Sequence, residues 1–206
     1  MAMRAMQLCF IGDSFVAGVG DKQALGWVGR VMSTVHSRSV DRSGYNLGVR
    51  RDTSGDIRAR WEREVHARLK SDVPFKLCFS FGANDCADDG HGRPRIPIAD
   101  VISNTESVLI AAVNMASVVM IGPLPIRDDV AADTRIAELD QELGTVCRAL
   151  GVPYLTVFDE MSGCQVWTQG AARGDGTHPN AAGYQTLALH VLEWPAFQQW
   201  IEWTVE

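Results

Sequence analysis

The stretch Met6-Gln7-Leu8-Cys9-Phe10-Ile11-Gly12-Asp13-Ser14 decides how this chain is read. Met6–Ile11 is a short, nearly continuous apolar run, the pattern of a strand buried on both faces. Gly12 ends it, and Gly18, Gly20 and Gly26 punctuate the loop that follows. Trp27, Val28, Val31, Met32 and Val35 then recur at helical spacing. The same strand–loop–helix cycle repeats downstream. A weaker second strand lies within Ser43–Leu47 and ends at Gly48. Thr53 with Asp56 forms a capping box ahead of a helix whose apolar face is Ile57, Trp61, Val65 and Leu69. Phe75–Phe81 is the third strand, Val101–Met115 a helix, and Ser117–Ile121 the fourth strand, stopped by Gly122 and Pro123. Ile136, Leu139, Leu143, Val146 and Leu150 mark another helix, Tyr154–Phe158 the fifth strand, and Asn180 caps a last helix bearing Leu187, Leu189 and Val191. Strands apolar on both faces, alternating with helices, imply an α/β chain with a parallel sheet covered on both sides.

Composition sets the outer limits. The chain has 206 residues, 46% of them hydrophobic and 21% charged, which fits one globular domain over residues 1–206, with a core of about 6–192 and a Trp-bearing tail, 193–206. A chain this long buries about 70% of its unfolded surface and needs neither disulfides nor metal for stability. Nineteen Lys and Arg against 25 Asp and Glu give a net charge of −6. That balance argues against nucleic acid as a partner, because such affinity rests on cations facing phosphates, and against adsorption to anionic membranes. Five cysteines without a Cys-x-x-Cys argue against a disulfide framework or a four-thiolate zinc site and point to a reducing cytoplasm. No apolar run reaches the roughly 18 residues of a membrane span, and Met6–Ile11 is too short for a secretory signal core. The expectation is a cytoplasmic protein without stable membrane insertion.

In parallel sheets, functional groups collect beyond the carboxyl ends of the strands. Those ends are Gly12–Gly20, Gly48–Ser54, Gly82–Pro97, Pro123–Asp133 and Asp159–Pro179. Gly12-Asp13-Ser14 places a hydroxyl where the first strand turns. Asn46-Leu47-Gly48, Gly82-Ala83-Asn84-Asp85 and Asp175-Gly176-Thr177-His178-Pro179 occupy three further ends. Acyl transfer from an ester needs a hydroxyl with an adjacent base held in one tautomer, and preorganised donors for the developing oxyanion. The spacing of Asp175 and His178 lets the carboxylate reach Nδ1–H while Nε2 faces a hydroxyl. Backbone N–H groups of Ser14 and Gly48 and the Asn84 amide can serve as donors. Asp13 and Asp85 read as supporting residues, Asp13 by hydrogen bonding the neighbouring loop.

Taken singly, each piece has an ordinary structural reading: Ser14 as a helix cap, Asn84 and Asp85 as turn formers, Asp175-x-x-His178 as a surface turn. Their joint occurrence at strand ends of one sheet is what carries weight. His36, His66 and His190 fall in helical patterns and read as surface or packing residues. Asp88, Asp89 and His91 read as a Gly-rich solvated loop rather than a metal site, Cys86 as a spectator thiol, and Trp194, Trp200 and Trp203 as a cover or a subunit contact.

The four blocks resemble those of the SGNH, or GDSL, hydrolase family: Gly-Asp-Ser near the amino terminus, an isolated Gly, Gly-x-Asn-Asp, and Asp-x-x-His near the carboxyl terminus. They run from Gly12 to His178, nearly the whole chain. The resemblance implies Ser14 as nucleophile, His178 as base, Asp175 as its orienter, and an oxyanion hole of Ser14, Gly48 and Asn84. It also implies a flavodoxin-like α/β/α sandwich with a five-stranded parallel sheet, no cofactor and no metal. One departure is Phe15 where the strict motif has Leu, at a position expected to pack. The Gly-x-Ser-x-Gly elbow of α/β-hydrolases is absent, since Val16 stands two residues beyond Ser14. The expected activity is hydrolysis of small or short-acyl carboxylic esters by a Ser-His-Asp triad and an acyl-enzyme, with a small-molecule ester as partner and a homo-oligomer possible. Phospholipid, thioester and acetylated-sugar substrates stay open. An acyltransferase would use the same triad, and a non-catalytic flavodoxin-like binding module would use the same crevice for a ligand.

Overall fold

A computed structural model describes residues 4–36, 40–70 and 73–202. In chain order the elements are β1 (Arg4–Gly12), α1 (Ser14–Ala17), α2 (Gly26–Val35), β2 (Val40–Gly48), α3 (Ser54–His66), β3 (Phe75–Ser80), α4 (Ala83–Cys86), α5 (Ile98–Val113), β4 (Ser117–Ile121), α6 (Val130–Ala149), β5 (Tyr154–Leu155), α7 (Phe158–Gly163), α8 (Gln165–Ala172), α9 (Ala181–Glu193) and α10 (Pro195–Trp200). The five strands form one sheet in the order β2-β1-β3-β4-β5, and every pair is parallel. Helices α2, α8, α9 and α10 pack together as one group, and α3, α5 and α6 as the other. The architecture is the three-layer α/β sandwich expected from the sequence.

Burial explains which strands were easy to read. Met6, Leu8, Cys9, Phe10 and Ile11 of β1 are all at most 1% exposed, and Leu77, Cys78 and Phe79 of β3 equally so. The one polar side chain within this part of β1, Gln7, is fully satisfied. Its Nε2 donates to the Tyr45 hydroxyl and the Arg68 carbonyl, and its Oε1 accepts from the Lys70 N–H. β2 lies at the sheet edge, with Ser43, Gly44 and Asn46 exposed, and so carries little apolar pattern.

The fifth strand is shorter than its apolar run suggests. Only Tyr154 and Leu155 pair with β4; the Thr156 hydroxyl then donates to Asp140 on α6, and Phe158 opens α7. Val157 and Phe158 are therefore buried beside a helix instead of in the sheet. The segment after β5 holds two helices, α7 and α8, where the sequence suggested only a loop. The Thr53–Asp56 capping box is present at α3, and the Asn180 side chain accepts the Ala182 and Gly183 N–H groups at α9. Trp200 is buried and meets Phe10 edge-on at 6.2 Å between ring centroids, while Trp194 is half-buried. Trp203 lies outside the described residues. Among the described residues, no helix is long and apolar enough to cross a membrane.

The order of the strands positions the site. From β1 the chain goes outward to β2 and then returns to β3 on the other side of β1. The carboxyl end of β1 is thus a topological switch point, where loops diverge and leave a crevice. Gly12 is in register with Gly48 on one side and Ser80 on the other. A Cβ on Gly12 would stand 2.0 Å from the Ser80 carbonyl oxygen, so only glycine fits there.

Candidate active site

Asp13, directly after β1, is the N-cap of α1, and its Oδ1 accepts the Phe15 N–H at 2.9 Å. This leaves Ser14 as the first residue of a short helix, 5% exposed. His178 reaches it from the turn between α8 and α9, with Nε2 2.8 Å from Ser14 Oγ. The other ring nitrogen, Nδ1, lies 2.7 Å from Asp175 Oδ2. The turn is held by Asp175 itself, whose Oδ1 accepts the backbone N–H groups of His178 at 2.8 Å and Thr177 at 3.1 Å, around Gly176 at φ 88°. Partial burial works against the Asp175 carboxylate, but these N–H groups and the His178 ring outweigh it and hold its pKa below the usual carboxylate value. An ionised Asp175 accepting from Nδ1–H leaves Nε2 as an acceptor for the Ser14 proton.

Packing fixes the imidazole. Phe15 is 2% exposed and lies 5.1 Å from the His178 ring and 5.9 Å from Trp167 between centroids. Gly20, at φ 90°, backs onto the same residue: a Cβ there would come 2.9 Å from His178 Cβ. The loop bearing Gly20 is anchored by Asp21, which accepts the Gly26 N–H and pairs with Arg30, both side chains being buried.

Asn84 sits in α4 and turns its amide toward Asp13, with Nδ2 3.4 Å from Oδ2. Burial, with Asp85 and Asp52 nearby, pushes the Asp13 carboxyl up to about 7 even though the Phe15 N–H opposes it. Asp85 is completely buried and accepts the Ser54 N–H at 2.9 Å and the Ser54 hydroxyl at 2.6 Å, tying α4 to the start of α3. Its carboxyl is pushed up to about 6, again by burial first.

Ser14, Asn84, Asp175 and His178 line one cleft of about 420 Å³, together with Phe15, Arg50, Arg51, Arg95, Asp128 and Thr177. Gly48 is not among the residues lining it. Its N–H donates to Asn46 Oδ1 at 3.0 Å, and its Cα faces α1, where a Cβ would meet the Ala17 nitrogen at 2.1 Å. Gly48 therefore lets α1 dock against β2, and its amide is turned to Asn46. Arg51, three residues on, lines the cleft with a left-handed backbone at φ 69°, a conformation that is uncommon away from glycine and strains the backbone. A larger cavity of about 740 Å³ lies at the opposite, amino-terminal ends of β3 and β4, beside Lys76, Ser117 and Trp200, far from this chemistry.

Comparison with known families settles the class: residues 10–186 match the GDSL-like lipase/acylhydrolase family. The chain belongs to that family. This GDSL-like chain is accordingly a carboxylic ester hydrolase. Its fold is similar to that of a lipase/acylhydrolase from Enterococcus faecalis, at 23% identity and a TM-score of 0.74, covering 98% of this chain and 100% of that one. It is similar too to a lipolytic protein of the G-D-S-L family from Veillonella parvula (19% identity, TM-score 0.73, 93% and 98% covered). A variant of an acetyl xylan esterase from Geobacillus stearothermophilus matches at 19% identity and a TM-score of 0.73, covering 97% and 96%. Comparison with curated protein sequences yields no match.

Several residues of the GDSL-like site have no motif to announce them. Arg60 on α3 donates to the carbonyls of Gly12 and Leu47, both at 3.0 Å, and pairs with Asp52 at 2.5 Å. The adjacent Arg50-Arg51 pair beyond the second strand was the visible signal that cations line the cleft. Asp88 and Asp89 spend their carboxylates on N–H groups of their own loop, among them Gly92 and His91. Among the described residues, no group of three or more His, Cys, Asp or Glu side chains is placed to hold a metal ion. Cys86 is buried, which pushes its thiol up to about 12.

Proposed function

We propose that this hydrolase cleaves short-acyl carboxylic esters through a Ser14-His178-Asp175 triad. The observation that carries the reading is the continuous hydrogen-bonded path from Ser14 Oγ through the His178 ring to Asp175. Ser14 Oγ attacks the ester carbonyl carbon as its proton passes to His178 Nε2. The carbonyl π pair moves to oxygen, and the resulting oxyanion meets the Ser14 N–H, the Asn84 amide and the Arg51 N–H, which takes the role expected of Gly48. Collapse of the tetrahedral species breaks the bond to the alcohol oxygen, which takes the proton from His178. Water then enters the vacated place, gives a proton to His178, and releases the acid and Ser14 by the same steps in reverse. Asp175 stabilises the imidazolium formed in each half and holds the ring in one orientation.

The Arg51 assignment is supported by three facts: it lines the cleft, its backbone is strained, and its N–H has no protein partner among the described residues. A modest, largely polar cleft supports a short acyl group, and the likeness to an acetyl xylan esterase points the same way. The test is a crystal structure of the adduct with a serine-directed phosphonate. Its phosphorus is expected on Ser14 Oγ, with one oxygen about 2.7–3.1 Å from the Ser14 and Arg51 nitrogens and Asn84 Nδ2. An oxygen bound to the Gly48 N–H instead would overturn the Arg51 assignment. Unmodified Ser14, together with full turnover of p-nitrophenyl acetate by Ser14→Ala, would overturn the triad.

A further inference from the structure

The cleft around Ser14 is lined by cations and acids that differ in how far they are engaged. The loops after β2 and β3, the two strands that flank β1, bring Arg50, Arg51 and Arg95 to its lining. The loop after β4 brings Asp128 and Asp129, and the turn between α8 and α9 brings Thr177. Both of these acids are engaged. Asp129 accepts the Ala132 N–H at 2.8 Å and lies 3.7 Å from Arg135, and Asp128 accepts the Thr177 hydroxyl at 2.9 Å. The guanidiniums of Arg50, Arg51 and Arg95 have no hydrogen-bond or ion-pair partner among the described residues. In a chain of net charge −6, two separate loops thus bring three uncommitted cations to the cleft that holds Ser14.

We propose that the ester this enzyme hydrolyses carries a second, anionic group on its acyl portion, a carboxylate a few carbons from the scissile carbonyl, bound by Arg50, Arg51 and Arg95. The inference rests on the esterase reading above and narrows its substrate class. Chemistry fixes which half of the ester meets which groups. The leaving oxygen takes its proton from His178 Nε2, and His178 adjoins Thr177, which bonds Asp128, so the alcohol lies toward Thr177 and Asp128. The acyl chain is left to the arginines. A guanidinium fork matches a carboxylate with two parallel N–H···O bonds, and an arginine keeps its charge at every pH at which the enzyme works. The binding is selective because a neutral acyl terminus leaves those cations unpaired.

The experiment compares monoethyl glutarate with ethyl pentanoate, which have the same chain length and differ in a terminal carboxylate against a methyl, by titrating the released acid at neutral pH. The wild type is expected to show at least about a tenfold higher kcat/KM for the charged ester, the ratio that one charge-assisted hydrogen bond supplies. Arg50→Gln combined with Arg95→Gln is expected to lower that ratio about tenfold, and added salt to compress it. The ratio is internal to each protein, so a loss of folded enzyme does not mimic the result. Turnover of ethyl pentanoate with no gain from the carboxylate overturns the inference and leaves the Ser14 chemistry standing. A charged-ester preference kept by the double variant also overturns it, as does one shown only by 3-carboxypropyl acetate, whose carboxylate is on the alcohol. Failure to cleave any of the three esters, with Ser14 unlabelled by a phosphonate, overturns the esterase reading itself.

Discussion

Arg60 donates to the carbonyl oxygen of Gly12 at 3.0 Å, and so grips the strand end two residues before Ser14. The same guanidinium holds the Leu47 carbonyl and Asp52, the residue that follows Arg51. One side chain on α3 thereby sets the spacing between the loop carrying Ser14 and the loop carrying Arg51. Arg60→Lys keeps the charge but cannot serve three acceptors in fork geometry. We expect kcat to fall on the order of tenfold to a hundredfold with a smaller change in KM, since misplacement by about 1 Å carries such a penalty. Steady-state kinetics on p-nitrophenyl acetate check this; an unchanged kcat would show that the two loops hold their spacing without Arg60.

Asn84→Ala removes a donor and not a packing group, because the side chain is half-exposed and its amide makes one long contact with Asp13. The expected loss is on the order of 10²–10³ in kcat, the effect of deleting one oxyanion donor. Thermal unfolding should move little. A normal kcat in Asn84→Ala would take the residue out of the site.

Gly48→Ala tests the structural role assigned to that glycine. The new methyl would stand 2.1 Å from the Ala17 nitrogen and 2.7 Å from the Val16 carbonyl carbon, both backbone atoms that cannot swing aside. Helix α1 must shift, with a destabilisation of about 1–3 kcal/mol, typical of overpacking. Urea unfolding at one pH measures it. A fully stable variant would mean that α1 can move away from β2 without loss.

Asp13 makes stability depend on pH in an unusual direction for an acid. Its carboxyl binds a proton up to about 7 in the folded chain, against an ordinary value of 3.8. The folded state therefore holds the proton more tightly. The contribution is complete below about 3.8 and is lost as pH rises through about 7. Asp13→Asn keeps an acceptor for the Phe15 N–H and removes the titration. Its stability relative to wild type should climb between these two values, by at most about 4 kcal/mol, since each pKa unit is worth about 1.4 kcal/mol. Urea melts across this range give the slope; a flat or falling difference would mean the Asp13 carboxyl is solvated enough to titrate normally.

The strands that could be read from the sequence were those apolar on both faces: β1, β3 and β4. β2 was blurred because as an edge strand it leaves Ser43, Gly44 and Asn46 exposed, and β5 was overdrawn because Val157 and Phe158, the cap and first residue of α7, are as apolar as they would be in a sheet. α6 begins at Val130, ahead of the apolar spacing from Ile136, because its first turn buries only Ala132 and is started by the Asp129 cap. In the cleft, Ser14 and Asn84 were visible because each lies in a short linear motif at a strand end, and Asp175 and His178 because theirs lies just ahead of the Asn180-capped helix. Spacing did not foretell that the Gly48 N–H donates to Asn46 Oδ1 or that a Cβ there would meet α1. Nothing in the residue type foretells a left-handed Arg51, and Arg60 acts across 48 positions of sequence, which local pattern cannot register.

Gly12 is bridged by hydrogen-bonded neighbours on both sides, whereas Asp175 and His178 hang from a connection between two helices. The proposed nucleophile is thus tied directly to the sheet, and its proposed base stands on a turn between two helices. Variation in leaving-group tolerance should therefore be sought by altering the joint between α8 and α9 while β1 is left alone.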